Sequence, residues 1–465
     1  MRPSYQTPLA SEVETQPGRP LALLARRAMG LLVGKGAREG YLAAIDQGMI
    51  SVSNFIVTII LARLISPTEL GVYGVGFTSL RLGRSVQEGF TIQPMNTFGP
   101  AMEEGLFRRY ATSTSLIQLG LALVTSAAVA IGGQVLTVLG NDTAGPTLFA
   151  LWFAFLFWQL QEFVRRMLYT RGQVFHAVIN TTIANGVRLG IILVWARQGK
   201  LSGIAGLNAI AWGSLIALLP GLWQTRRFWT LHFANLIDTW KENWEFGRWV
   251  LGGTLANWVA VEFYPVLTAG LISFAAAGAY RALQNLVAPI HLLLRATDTF
   301  LTPRAARQYQ QNGRSTLSRN LRLTYLGAGI PVLGLLVIAM LFPAPLLHLL
   351  YGDTYVEYSQ GMVLMVSFYA LWFAYWPLQT AFKAVRLSQP IFIANMAAIC
   401  AMFTFGIWMI HRWGVYGTIA GQALNALVVG AILWGAWFGL KRKWGHSSLA
   451  DSPEESEPAG KRDGA

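Results

Sequence analysis

Ionisable side chains recur at helical spacing along two apolar segments of the chain. In the first segment, Arg81, Arg84 and Glu88 stand at positions i, i+3 and i+7, which places them on one face of a helix. The second segment carries a similar face: Arg281, Gln284, His291, Arg295 and Asp298. Charges within a membrane are costly, so both faces are expected to line an aqueous cavity or to pair with each other. Guanidinium groups in such a cavity favour an anionic ligand, phosphate above all.

Further ionisable residues are expected at the same cavity: Glu162, Arg188 and Glu262. Glu262, with Asn257 on the same segment, is a candidate cation site, and His291 can titrate near neutral pH. We therefore predict coupling to H+ or Na+ through Glu262, Asn257 and His291, with no other cofactor and no metal site. The predicted substrate-binding residues are Arg81, Arg84, Glu88, Arg188, Arg281, His291, Arg295 and Asp298.

An alternative interpretation is a salt-bridge network that only holds the helices together. Arg84 with Glu88, and Arg295 with Asp298, have the spacing of local ion pairs. A dense aromatic cluster raises a similar choice: Trp372, Phe373, Tyr375 and Trp376. These rings could stack on sugars or hold a lipid tail, or they could simply pack in the core.

Composition limits the classes of protein that fit. Of 465 residues, 54% are hydrophobic and only 12% are charged, so a soluble enzyme and a disordered chain are both excluded. Formal net charge is +14, which in a membrane protein reflects basic cytoplasmic loops rather than a nucleic-acid partner. Cys400 is the single cysteine, so no internal disulfide can form. The sequence contains no Walker A, HExxH or GxSxG motif, and we predict no catalytic residues.

The charged segments belong to a series of apolar stretches, each long enough to cross a bilayer. Twelve spans are predicted, at residues 42–65, 71–99, 112–140, 146–168, 173–196, 201–224, 246–272, 276–301, 322–350, 360–385, 390–411 and 414–438. The predicted fold is all-α, with two pseudo-symmetric six-helix lobes, 42–224 and 246–440, around a central cavity. An interfacial linker, 225–245, joins the lobes. We predict that residues 1–41 are a cytoplasmic segment with a basic amphipathic helix at 20–38, for which a disordered tail is the alternative, and that residues 441–465 are a disordered tail.

The two halves contain an internal repeat. ARLISPTELGVY at 62–73 aligns without a gap with AGLISFAAAGAY at 269–280, which pairs Ser66 with Ser273 and Gly71 with Gly278. At the same offset, Arg84 aligns with His291 and Glu88 with Arg295. Because each half has an even number of predicted spans, the repeat is parallel, and such a protein places its substrate between two rocking lobes.

Lysine and arginine are distributed unequally between the predicted loops. With the N-terminus in the cytoplasm, nearly all basic loop residues lie on that side, whereas the opposite loops hold Arg197, Lys200 and Arg412. We therefore predict that both termini are cytoplasmic.

Several segments resemble the polysaccharide flippases of the MOP superfamily, the Wzx-type proteins. In NFIVTIILARLISPTELGVYGV (54–75) the matching residues are Arg63, Pro67, Glu69, Gly71 and Tyr73. Residues 246–290, 349–372 and 414–432 are similar to later parts of that family. The resemblance implies two lobes around a cationic cavity, and alternating access that turns a polyprenyl-pyrophosphate-linked oligosaccharide to the periplasmic leaflet of a bacterial inner membrane.

The resemblance also implies partners: the lipid-linked glycan, membrane lipids, and a polysaccharide polymerase and co-polymerase. An ion-coupled exporter of drugs or small molecules, from the same superfamily, is the alternative; its cavity should be acidic or apolar. A scaffold or enzyme of glycan assembly is a third hypothesis, and it predicts no need for central charges.

Overall fold

The chain is helical throughout the part that the structure, a computed structural model, describes: residues 35–230, 236–291, 293–294, 314–385, 387 and 389–450. The main helices are α1 (Lys35–Leu64), α2 (Pro67–Gln87), α3 (Glu104–Val138), α4 (Ala144–Thr170), α5 (Val174–Arg197), α6 (Gly203–Thr225), α7 (Leu236–Glu262), α8 (Tyr264–Leu271), α9 (Phe274–Leu286), α10 (Arg314–Leu341), α11 (Pro343–Tyr351), α12 (Ser359–Ala384), α13 (Gln389–Ala401) and α14 (Ile407–Ala450). Helix α2 continues through a π-turn at Glu88–Ile92 into the short helix Gln93–Phe98.

Eight stretches of these helices are long and apolar enough to cross a membrane, or nine if the bent pair α7–α8 counts as one span. Two of the eight, Pro343–Lys383 and Gln389–Arg442, contain 41 and 54 residues, far more than the ~20 that one crossing needs. Helix α2 is not among the eight, because its polar residues and glycines lower its mean hydropathy. The prediction of an all-helical, multi-pass membrane protein is confirmed, whereas the count of twelve stays a prediction.

Two equivalent helices of the repeat, α2 and α9, cross at the equivalent residues Gly71 and Gly278. A Cβ on Gly71 would meet the carbonyl oxygen of Phe274, and one on Gly278 would meet that of Pro67. Since Phe274 is the repeat partner of Pro67, the contacts are reciprocal, as a two-fold axis between the helices requires. The helix starts match as well, because Ser66 and Ser273 each accept a hydrogen bond from the backbone N–H three residues on.

Each half packs mainly on itself. In the first half, α4 packs against α3 and α6, and α5 packs against α6; in the second, α14 packs against α12 and α13. The large apolar core extends across the α2–α9 crossing and includes the fully buried Tyr73, Tyr280 and Tyr369. This arrangement leaves the C-terminal parts of the α2 and α9 faces free to border a cavity.

Two bends are prominent, one inside a predicted span and one between two predicted spans. The predicted span 246–272 bends by 52° between α7 and α8, where Pro265 begins the second helix. Gly414 has a φ of 60°, which bends the long helix α14 between the predicted spans 390–411 and 414–438.

The helices differ in part from the predicted domain boundaries and terminal segments. Helix α7 begins at Leu236, inside the predicted linker 225–245, and α14 continues to Ala450, past the predicted start of the tail at residue 441. Of the predicted amphipathic helix 20–38, only residues 35–38 are described, and they belong to α1. Residues 451–465 of the tail also lie outside the described residues.

Candidate binding cavity

A cavity of about 380 Å³ lies between the two halves. Helices α1, α2, α4, α5 and α6 form one wall, and α7, α9, α12 and α14 form the other. Most of the predicted site residues line it: Arg81, Arg84, Glu162, Arg188, Glu262, Arg281 and His291. Arg165 joins them, so five arginines and two glutamates surround one space.

Helix α2 presents its charged face to this space. Arg81 Nη2 lies 2.6 Å from Glu262 Oε1 on α7, and this is the one ion pair between the halves among the described residues. Arg84 Nη2 lies 3.4 Å from Glu88 Oε1 and 3.7 Å from Glu162 Oε1. The local pair of Arg84 with Glu88 was an alternative reading of the sequence, and the structure contains it.

A buried ionic network lies behind Arg84 in the first half. Arg165 Nη1 lies 2.5 Å from Asp46 Oδ2, and its Nη2 lies 2.7 Å from Glu162 Oε2. Arg166 Nε donates to Glu162 at 2.9 Å, and the Tyr169 hydroxyl donates to Asp46 at 2.6 Å. Because these charges are paired with one another, they are not free to bind a ligand, and loss of one partner would leave the others buried without a counter-charge.

Two arginines in the cavity have no carboxylate partner. Arg188 donates to Asn54 Oδ1 at 2.8 Å and to the hydroxyl of Tyr73, both neutral acceptors. Its side chain is buried, and its Nε has no acceptor in the described part of the chain. No described carboxylate lies within 4.0 Å of it.

Arg281 repeats this pattern from the opposite half. It donates to Gln284 Oε1 at 3.0 Å, and its guanidinium lies 5.3 Å from the ring centre of Phe77. Its Nε is also buried without an acceptor, and no described acid pairs with it. A buried guanidinium held by neutral groups keeps its full charge for an anionic ligand.

The wall formed by the second half is aromatic. His291 Nε2 lies 2.6 Å from the Tyr369 hydroxyl, and the His291 ring lies 4.6 Å from that of Trp372. Phe368 lines the same wall. The aromatic cluster predicted around residue 372 is thus divided, because Phe373 and Tyr375 are buried in the core while Trp372 borders the cavity.

Two predicted residues, Glu88 and Asn257, do not line the cavity, and two more are not described. Glu88 lies beside it as the partner of Arg84. Asn257 is exposed. It stands five residues before Glu262, so the two side chains point in different directions from the helix. The predicted cation site of Glu262 with Asn257 is therefore not assembled. Arg295 and Asp298 lie outside the described residues. No cluster of His, Cys, Asp and Glu in the described chain could hold a metal ion.

Sequence reasoning missed Arg165 and Asp46 as neighbours of the cavity. Arg165 stands near the end of the predicted span 146–168, next to Arg166, where basic residues are usually loop residues. The i, i+3 spacing of Glu162 and Arg165 was the signal that could have found the pair.

Comparisons with known proteins agree with this architecture. The family model described as "Polysaccharide biosynthesis protein" matches residues 60–360, more than half of the chain. A search of curated proteins finds no significant match.

Solved structures share the fold at low sequence identity. A multidrug resistance MATE family transporter of the MOP superfamily, in an inward-facing conformation, matches at 13% identity with a TM-score of 0.65, covering 86% of this chain and 99% of that one. The lipid II flippase MurJ, in an inward closed conformation, matches at 14% with a TM-score of 0.65, covering 85% and 87%. A MOP superfamily transporter from Pyrococcus furiosus, described as having a binding pocket of reverse polarity, matches at 14% with a TM-score of 0.59, covering 89% and 98%.

Proposed function

Because the chain belongs to the polysaccharide biosynthesis protein family, whose members include flippases, we propose that it flips a polyprenyl-pyrophosphate-linked oligosaccharide across a bacterial inner membrane. The proposed direction is from the cytoplasmic to the periplasmic leaflet, with both termini in the cytoplasm. The product would feed exopolysaccharide, lipopolysaccharide or capsule synthesis, where a polymerase and a co-polymerase are the expected partners.

One observation supports an anionic substrate. Arg188 and Arg281, from opposite halves, face one cavity with guanidinium groups that form no ion pair with a described carboxylate within 4.0 Å. Keeping such charges buried costs several kcal/mol unless a counter-charge arrives, so the cavity favours an anionic substrate. A cavity built for cationic drugs would carry the opposite excess, which is why we prefer the flippase to the exporter.

Alternating access needs a contact between the halves that can be broken. The Arg81–Glu262 ion pair has this position, and both side chains are part-exposed to the cavity, where water can replace the lost partner. An anionic headgroup that binds Arg81 would compete with Glu262, and a released Glu262 carboxylate could then take up H+ or Na+. The lipid tail would stay in the bilayer while the headgroup crosses.

The test is deletion of the gene followed by analysis of lipid-linked sugars in each leaflet. We expect a polyprenyl-pyrophosphate oligosaccharide trapped on the cytoplasmic leaflet and loss of the polysaccharide. Wild-type protein should restore output, Arg281→Gln at equal protein level should restore less than about a tenth of it, and the exposed control Arg412→Gln should restore it fully. Normal polysaccharide with new sensitivity to cationic drugs would instead establish the exporter.

A further inference from the structure

The two unpaired arginines lie far along the cavity from Arg84. Helices α2 and α9 begin, and α5 ends, at the same membrane face, which is periplasmic in the proposed orientation. At 1.5 Å per residue, Arg281 lies roughly 10 Å and Arg188 roughly 14 Å from that face, whereas Arg84 lies roughly 25 Å from it. The cavity therefore has a charged end near the cytoplasm, at Arg84, and a second charged end deeper inside.

Aromatic rings separate the two deep arginines. Arg188 donates to the hydroxyl of Tyr73, Arg281 lies over Phe77, and the Tyr73 and Phe77 rings stack with centres 6.1 Å apart. Phe368 and Tyr369 line the cavity from the second half. A ligand at this end thus meets apolar ring faces together with positive charge.

Small polar residues complete the deep end on the side of the first half. Asn185 on α5 and Ser214 on α6 line the cavity roughly 18 Å and 16 Å from the face at which α2 begins, close to the depth of Arg188. Thr181 lies farther along α5, at roughly 24 Å, which is level with Arg84. A ligand hydroxyl at the deep end can therefore hydrogen-bond Asn185 and Ser214.

We propose that this deep end, here called the acidic-sugar subsite, binds a carboxylate-bearing pyranose of the transported glycan. A diphosphate has no apolar face to pack against Phe77 and Phe368, and a neutral sugar gives no reason for two arginines without an ion-pair partner. A sugar acid uses both features, and its hydroxyls reach Asn185 and Ser214. The proposal rests on the proposed function and assigns the diphosphate to the other end, at Arg84.

The test uses purified full-length protein in lipid nanodiscs and three probes: methyl glucuronide, methyl glucoside and inorganic pyrophosphate. For the wild type we expect methyl glucuronide to bind at least about tenfold more tightly than methyl glucoside by calorimetry. Arg188→Gln should weaken methyl glucuronide about tenfold or more and change pyrophosphate binding less than about twofold. Ser214→Ala, which removes one hydroxyl from the deep end, should weaken methyl glucuronide about threefold without disturbing the fold.

Equal binding of the acidic and neutral glycosides would overturn the subsite. So would equal weakening of glucuronide and pyrophosphate by Arg188→Gln, or no effect of Ser214→Ala in a folded protein. Arg412→Gln should match the wild type for all three probes. A protein that binds pyrophosphate but not glucuronide refutes the subsite alone, whereas a deletion strain with normal polysaccharide refutes the proposed function.

Discussion

The two walls of the cavity share a backbone plan and differ in chemistry. The first half presents a paired ionic network centred on Arg165, and the second half presents rings around Trp372. The equivalent serines and glycines at the helix starts and at the α2–α9 crossing are unchanged between the halves. The comparison shows that the repeat retains the residues that form the crossing, whereas the residues that face the cavity have diverged.

Position 281 shows this divergence most directly. Its repeat partner is Gly74, and a Cβ on Gly74 would lie 3.3 Å from Arg281 Cγ. The glycine of one half therefore makes room for the arginine that occupies the same repeat position in the other half. A pair of identical halves could not place a long cation so close to the axis.

The shared part of the comparison should be the most sensitive to mutation. Gly71→Ala puts a methyl group against the backbone of α9, which cannot move aside as a side chain can. We expect a loss of more than about 3 kcal/mol in the free energy of unfolding, measured by thermal unfolding in detergent. Gly190→Ala, where a Cβ meets nothing within 4 Å, is the matched control and should unfold no earlier than the wild type.

Mutation of the ionic wall should give the second-largest loss in the free energy of unfolding. Glu162→Gln leaves Arg165 and Arg166 without one of their buried carboxylate partners, and we expect a cost of about 3 kcal/mol. Glu104→Gln removes the exposed Glu104–Arg108 pair and should cost less than about 0.5 kcal/mol. Equal unfolding temperatures for these two variants would show that the buried network does not stabilise the fold.

Mutation of the aromatic wall should give the smallest loss in the free energy of unfolding. Tyr369→Phe removes only the hydroxyl that contacts His291, while the ring packing remains, so we expect a loss of about 1 kcal/mol in the same assay. Tyr416→Phe, which loses a long contact of 3.4 Å, serves as the control. A loss as large as that of Glu162→Gln would mean that the second half also depends on a polar network.

Helical spacing was sufficient to bring Arg81, Arg84, Arg188, Arg281 and His291 to one cavity, because membrane cost restricts where such residues can face. The family resemblance is confirmed by the family model. The sequence pattern could not predict ion pairs between residues far apart in the chain. Asp46 and Arg165 are 119 positions apart, and no local spacing indicates that they pair. The prediction for Asn257 failed for a different reason. Asn257 and Glu262 lie on the same predicted span but on different faces of the helix.

The Gly71–Gly278 crossing also determines how far the end of α2 moves when this helix tilts. The backbones touch near one end of α2, and the helix extends roughly 24 Å from Gly71 to Gln87. A tilt of about 10° about the glycine contact would displace the opposite end by about 4 Å. In the proposed alternating access, small rotations where the glycines meet would therefore produce larger movements at the Arg84 end of the cavity.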